Sequence, residues 1–181
     1  RVVAISRSGT TTEVVQAIEA SRSPVTALTA VEDGPVVDAA QECVALTFAD
    51  EQSVVQTLFA TSVLAMLRAS IGADVVPLAE QARAVLADQW PLGEQVRAAR
   101  QVTFVGQGWA FGIAREAALK MREAAQWWTE SYPQMEYRHG PIAIAEPGRA
   151  VWFFGEPMDG LVADVGATGA AVVADSLDPQ A

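Results

Sequence analysis

Residues 1–21, RVVAISRSGTTTEVVQAIEAS, constrain the fold more than any other stretch. The β-branched run Val2-Val3-Ala4-Ile5 predicts a short buried strand. It breaks into Ser6-Arg7-Ser8-Gly9-Thr10-Thr11-Thr12, where five of seven residues carry hydroxyls. Val14, Val15, Ala17 and Ile18 then recur at helical spacing, and Thr10 with Glu13 has capping-box spacing. A hydroxyl-rich loop with one glycine thus joins a parallel-type strand to a helix start. The first N–H groups of a helix lack partners, and its dipole places positive potential there. Ser6, Ser8, Thr10 and Thr11 add O–H donors and Arg7 adds charge, so the natural guest is a phosphate monoester. An ordinary capped turn is the competing reading, although a cap needs one or two hydroxyls and not five. Neither G-x-x-x-x-G-K-[ST] nor G-x-G-x-x-G occurs here, which removes the common nucleotide loops.

The rhythm continues with strands expected at Val25–Thr29 and Cys43–Thr47, separated by the turn Glu32-Asp33-Gly34-Pro35 and a short connection at 37–41. Cys43 is expected to be buried in its strand. Residues 51–72 are strongly apolar and predict a core helix ending at Gly72, and residues 75–100 predict two amphipathic helices broken at Trp90-Pro91-Leu92-Gly93. The pattern then restarts: a strand at 102–105, the turn Gly106-Gln107-Gly108, a helix at 109–128, a strand at 150–154, a helix at 157–168 and a strand at 170–173. Alternating strands and helices imply an α/β class with parallel sheets and two domains, 1–90 and 91–181. The second copy lacks the hydroxyl loop, so one phosphate loop per chain is expected, at residues 6–12.

The chain has 181 residues, 51% hydrophobic, with a net charge of −10. That acidity argues against nucleic acid as a partner. An anionic substrate must then be held by local donors against the overall field. A single cysteine excludes an intrachain disulfide and a cysteine zinc cluster. No run of 18 apolar residues and no signal peptide is visible, so no membrane association is expected and the location is read as cytoplasmic. Both ends read as cut, the first inside a strand and the last in a turn.

Lys120 is the only lysine and His139 the only histidine, and both fall in one stretch of twenty residues. On a helix Glu116, Lys120 and Glu123 share one face. A solvated salt-bridge ladder is the bland alternative. Ala114, Ala117, Ala118, Met121 and Ala125 form a second face suited to core packing. Sixteen residues after Glu123 comes His139-Gly140-Pro141, where Gly and Pro fix the backbone beyond the imidazole. A lone histidine is more often structural, but a carboxylate and an imidazole are suitable tools for moving protons on a sugar.

Ser6-Arg7-Ser8-Gly9-Thr10-Thr11 resembles the S-x-S-G-x-T loop of the sugar isomerase (SIS) domain family. Gly106-Gln107-Gly108, then Glu116-Ala117-Ala118-Leu119-Lys120-Met121-Arg122-Glu123, then His139-Gly140-Pro141 resemble that family's G-R-G, E-G-A-L-K-L-K-E and H-G-P segments. The likeness is to the isomerase half of glucosamine-6-phosphate synthase and related ketose/aldose phosphate isomerases, and it covers nearly the whole chain. It implies two SIS-type three-layer α/β/α units, the first lacking its N-terminal part and the second its C-terminal part. It implies that Ser6, Arg7, Ser8 and Thr11 contact the sugar's phosphate, and that Glu51, Ser53 and Val54 border the site. Glu123 would shuttle a proton between C1 and C2, His139 would assist ring opening, and Glu116 and Lys120 would shape and polarise the site. A homodimer with the active site at its interface is implied, with no cofactor and no metal.

Three departures qualify the likeness. Gln107 replaces the family's arginine, no glutaminase domain is in this chain, and no C-terminal lysine stands near its end. The function expected is interconversion of ketose and aldose, or aminosugar, 6-phosphates. Alternatives are a fructosamine-6-phosphate deglycase, an aminosugar-phosphate deaminase, or a non-catalytic sugar-phosphate sensor.

Overall fold

The computed structural model describes residues 1–87 and 92–174. The chain divides into two compact units, Arg1–Ala79 and Glu80–Ala181. The boundary expected between residues 90 and 91 lies outside the described residues.

The first unit runs β1 (Val2–Ile5), α1 (Thr12–Glu19), β2 (Val25–Thr29), α2 (Pro35–Ala39), β3 (Glu42–Ala45) and α3 (Leu58–Ser70). Its sheet is parallel, in the order β1-β2-β3, with Val2 beside Val25 and Ala27 beside Cys43. Residues on β2 alternate between two cores, as a period of two requires. Val25 and Ala27 pack on Ile18 of α1 and Val36 of α2. Leu28, with Ala30 just beyond the strand, packs on Phe59 and Val63 of α3. A sheet with helices on both faces is the three-layer arrangement the alternating pattern predicts.

Two burial expectations fail, both on edge strands. Val2, Val3 and Ile5 are 43%, 48% and 47% exposed, and Cys43 is exposed. Apolar sequence marks the strand, but β1 and β3 each have one strand neighbour, and burial concentrates on β2 between them. The helix expected over 51–72 begins only at Leu58, because the Glu51 carboxylate accepts hydrogen bonds from the N–H groups of Thr57 and Phe59 and holds residues 51–57 outside it.

α4 (Leu78–Ala87) spans the division between the units. The second unit continues with α5 (Glu94–Arg97), β4 (Val102–Gly106), α6 (Trp109–Ala125), β5 (Thr129–Pro133), α7 (Gln134–Arg138), β6 (Ala150–Phe154), α8 (Leu161–Ala167) and β7 (Ala171–Val173). The strands are parallel in the order β5-β4-β6-β7. Val102, Phe104 and Ala150 face Ala114 and Ala118 of α6. Val105, Val151 and Phe153 face Tyr137 of α7 and Leu161 and Val165 of α8. The small residues of α6 therefore serve core packing, as expected, although Ala125 is exposed. Gly106 is required at the end of β4, because a Cβ there would lie 2.4 Å from the Ala110 carbonyl oxygen.

β5 and α7 have no counterpart in the expected pattern. Thr129-Glu130-Ser131-Tyr132-Pro133 carries no apolar alternation, and only pairing with β4, Val102 beside Thr129, makes it a strand. α6 stops at Ala125 rather than 128, because Gln126 turns into the left-handed region at φ 53°.

Candidate active site

The first unit presents the hydroxyl loop at the C-terminal end of β1. Gly9 allows its turn: φ is +67°, and a Cβ would meet Val31 Cγ2 at 2.7 Å. Ser6, 5% exposed, hydrogen-bonds Thr11 through Oγ and Oγ1 at 2.9 Å, and Ser8 Oγ meets Thr10 Oγ1 at 2.9 Å. The expected Thr10–Glu13 capping box is not formed: Thr11 is the N-cap of α1, and no side chain caps it. The hydroxyls pair within the loop instead. Ser6, Ser8 and Thr11 line a cavity of about 540 Å³ together with Arg7. The opposite wall comes from the start of α3, with Gln56, Phe59, Ala60 and Val63.

Glu51, Ser53 and Val54 do not line that cavity. Glu51 is occupied as the cap of α3. The N–H groups of Leu58, Phe59 and Thr57 hold its carboxyl down at about 2. Ser53 Oγ accepts from the Val55 N–H at 3.2 Å, and Val54 is 83% exposed. Two residues not expected from the sequence bear on the cavity, one in its wall and one behind Arg7. Gln56 stands in the wall, and Asp50 Oδ1 accepts from Arg7 Nη1 at 2.7 Å. That pair is 43 residues apart in sequence, so no local pattern marks it.

The second unit carries the other expected residues. On α6, Lys120 Nζ lies 3.1 Å from Glu123 Oε2 and 3.3 Å from Glu116 Oε1. Burial opposes the ammonium, but hydrogen bonds to Glu123 and Glu116 and their charges outweigh it, and Lys120 titrates above its ordinary value. The side chains of Lys120 and Glu123 are about three-quarters buried, and that of Glu116 is half exposed. The one-face reading of the helix therefore holds as a connected triad. Arg122, from the same helix, donates instead to the carbonyl and hydroxyl of Thr129 on β5.

His139 is the exposed C-cap of α7. Its turn is pinned from both sides. Arg138 donates through Nε and Nη2 to Asp164 Oδ2 at 3.0 and 2.7 Å, and through Nη2 to the Asp159 carbonyl at 2.9 Å. Ala143 N–H closes the following turn on the Gly140 carbonyl. No hydrogen bond among the described residues joins His139 to Glu123. Among the described residues no group of three or more His, Cys, Asp or Glu is arranged to hold a metal ion, and no helix is long and apolar enough to cross a membrane.

No family model matches the chain. A glutamine–fructose-6-phosphate aminotransferase (isomerizing) from Pyrobaculum aerophilum is 32% identical over 181 aligned residues, covering 87% of this chain and 30% of the relative. The solved structure of a candidate phosphosugar isomerase from Silicibacter pomeroyi superposes with a TM-score of 0.76 at 25% identity, over 94% of this chain and 58% of that one. The chain resembles the sugar isomerase family. A tagatose-6-phosphate ketose/aldose isomerase from Escherichia coli shares the SIS fold at a TM-score of 0.74 and 19% identity, over 97% of this chain and 60% of its own. The chain thus spans less than a third of the aminotransferase and somewhat more than half of the solved SIS structures. The relatives carry sugar phosphates in their names, and the SIS-type α/β architecture read from the sequence is the one the structure has.

Proposed function

We propose that this protein is a phosphosugar isomerase that moves a proton between C1 and C2 of a ketose or aldose 6-phosphate, or of the corresponding aminosugar phosphate. The observation that carries the reading is the Glu116–Lys120–Glu123 triad, built on the chain's only lysine. A largely buried carboxylate beside a fixed ammonium is an acid/base poised next to a positive charge that can stabilise a developing oxyanion. The hydroxyl-lined cavity of the first unit supports the same reading, because it offers neutral donors to a phosphate in a chain of net charge −10.

In this mechanism Ser6, Arg7, Ser8 and Thr11 bind the phosphate and fix one end of the open-chain sugar. Fixing the reacting carbons removes much of the entropic barrier. Glu123 takes the proton from the carbon next to the carbonyl, while the carbonyl oxygen takes a proton from solvent and a cis-enediol forms. The protonated Glu123 returns its proton to the former carbonyl carbon, while the other hydroxyl gives its proton to solvent and becomes the carbonyl. Lys120 keeps Glu123 oriented and, with Glu116, sets the polarity around the developing oxyanion. His139, exposed on its pinned turn, assists ring opening. That exposure suits a homodimer in which the imidazole serves the partner's site. In this reading Gln56, from the segment that also carries Glu51, Ser53 and Val54, borders the sugar.

The test is incubation of the intact protein with a panel of ketose, aldose, aminosugar and fructosamine 6-phosphates, followed by product analysis. Interconversion of a ketose and an aldose phosphate is the expected result. Release of free amine would make it a deaminase or deglycase, and binding without turnover across the panel would make it a sensor.

A further inference from the structure

Arg7, which lines the cavity of the first unit, forms an ion pair with Asp50. Arg7 sits in the hydroxyl loop after β1, and Asp50 follows the 3-10 turn Thr47–Ala49 beyond β3. Between them in the sheet lies β2, so the arginine reaches over the C-terminal end of the central strand. Asp50 is joined directly to Glu51, whose carboxylate grips the first N–H groups of α3. The loop that forms one wall is thereby tied to the segment that sets the other. The guanidinium is held on the Asp50 side by one hydrogen bond, Nη1 to Oδ1 at 2.7 Å, while Nε is buried and makes no hydrogen bond. The side chains of Arg7 and Asp50 are 22% and 38% exposed, so the pair is partly screened.

We infer that Asp50 is a positioning residue: it holds the Arg7 guanidinium in the cavity wall so that its remaining N–H groups meet the phosphate already oriented. An untethered arginine loses rotamer entropy each time an anion binds, whereas one fixed by a carboxylate has lost it on folding. Asp50 also subtracts charge, so the pocket holds a phosphate mainly by directed donors rather than by a free cation. This rests on reading the cavity as the phosphate site of the proposed isomerase.

The test is a double-mutant cycle on the intact protein, with inorganic phosphate and fructose 6-phosphate titrated separately. Asp50→Ala is expected to weaken both about tenfold, the loss of one well-placed charge-assisted contact. In an Arg7→Gln background the same substitution is expected to change binding by less than about twofold, because Asp50 acts only through Arg7. Asp50→Glu, which keeps the carboxylate, is expected to recover most of the affinity, and turnover by Asp50→Ala is expected to show raised KM with kcat nearly unchanged. Equal weakening in both backgrounds, no weakening, or tighter binding on removing Asp50 would each overturn the inference. The coupling appearing with inorganic phosphate, while no sugar phosphate binds, would leave the clasp standing and refute the isomerase reading. Sugar-phosphate turnover without the coupling would do the reverse.

Discussion

Tyr137→Phe is expected to stabilise the second unit. Tyr137 is fully buried on α7, packed among Val105, Val151, Phe153 and Leu161, and its ring lies 5.9 Å from that of Tyr132. Its hydroxyl is buried and makes no hydrogen bond. A buried hydroxyl without a partner costs about 1–3 kcal/mol relative to its hydrated state. Phenylalanine keeps the ring contacts and removes that cost, so the gain is about 1–2 kcal/mol, or roughly 4–16 °C for a unit of this size. Burial first, then the charge of Glu130 and the neighbouring Tyr132, push the phenol up to about 12 from an ordinary 10. The unfolded chain therefore ionises first. The stability tied to a neutral Tyr137 is complete below pH 10 and is lost as pH rises towards 12, and the variant has no such loss. Urea unfolding at pH 7 and pH 11, followed by tryptophan fluorescence, measures both effects. Destabilisation of the variant at pH 7 by 1 kcal/mol or more would show that the hydroxyl is satisfied and refute the reasoning.

Glu51, held at about 2 against an ordinary 4.5, supports α3 fully above pH 4.5, and that support is lost as pH falls through 2; hydrogen exchange of the Leu58–Ser70 amides should record the loss, and Glu51→Gln should show weakened protection already at pH 7. Gly106→Ala puts a Cβ against the Ala110 carbonyl and should cost about 1–3 kcal/mol or more in thermal unfolding, since strand and helix must separate; a cost near zero would mean that the turn relaxes freely.

The central strands were legible because strands buried on both faces carry near-continuous apolar, β-branched runs, as in Val25–Thr29 and Val102–Gly106. The edges were not. Val2, Val3 and Ile5 read like core residues, yet exposure is decided by strand order, which a local run does not encode. β5 escaped because its polar sequence becomes a strand only through pairing with β4. In the candidate site, the triad on α6 followed from helical spacing alone, since i, i+3 and i+4 neighbours must meet. The hydroxyl loop was equally plain, but its internal pairing, Ser6 with Thr11 and Ser8 with Thr10, replaced the capping box that spacing suggested. The Arg7–Asp50 bridge, the Glu51 cap and the Arg138–Asp164 pin join residues distant in sequence or hidden in a loop, and only the folded chain brings them together.

The most direct test of the account is proton exchange at the sugar. Intact protein in D₂O, supplied with fructose 6-phosphate and glucosamine 6-phosphate, is expected to introduce deuterium at C1 or C2, detected by NMR. Glu123→Gln is expected to abolish that exchange while leaving sugar-phosphate affinity within about threefold, because binding is assigned to the loop of the first unit. Exchange that persists in Glu123→Gln would contradict the account and return Glu123 to a purely structural partner of Lys120.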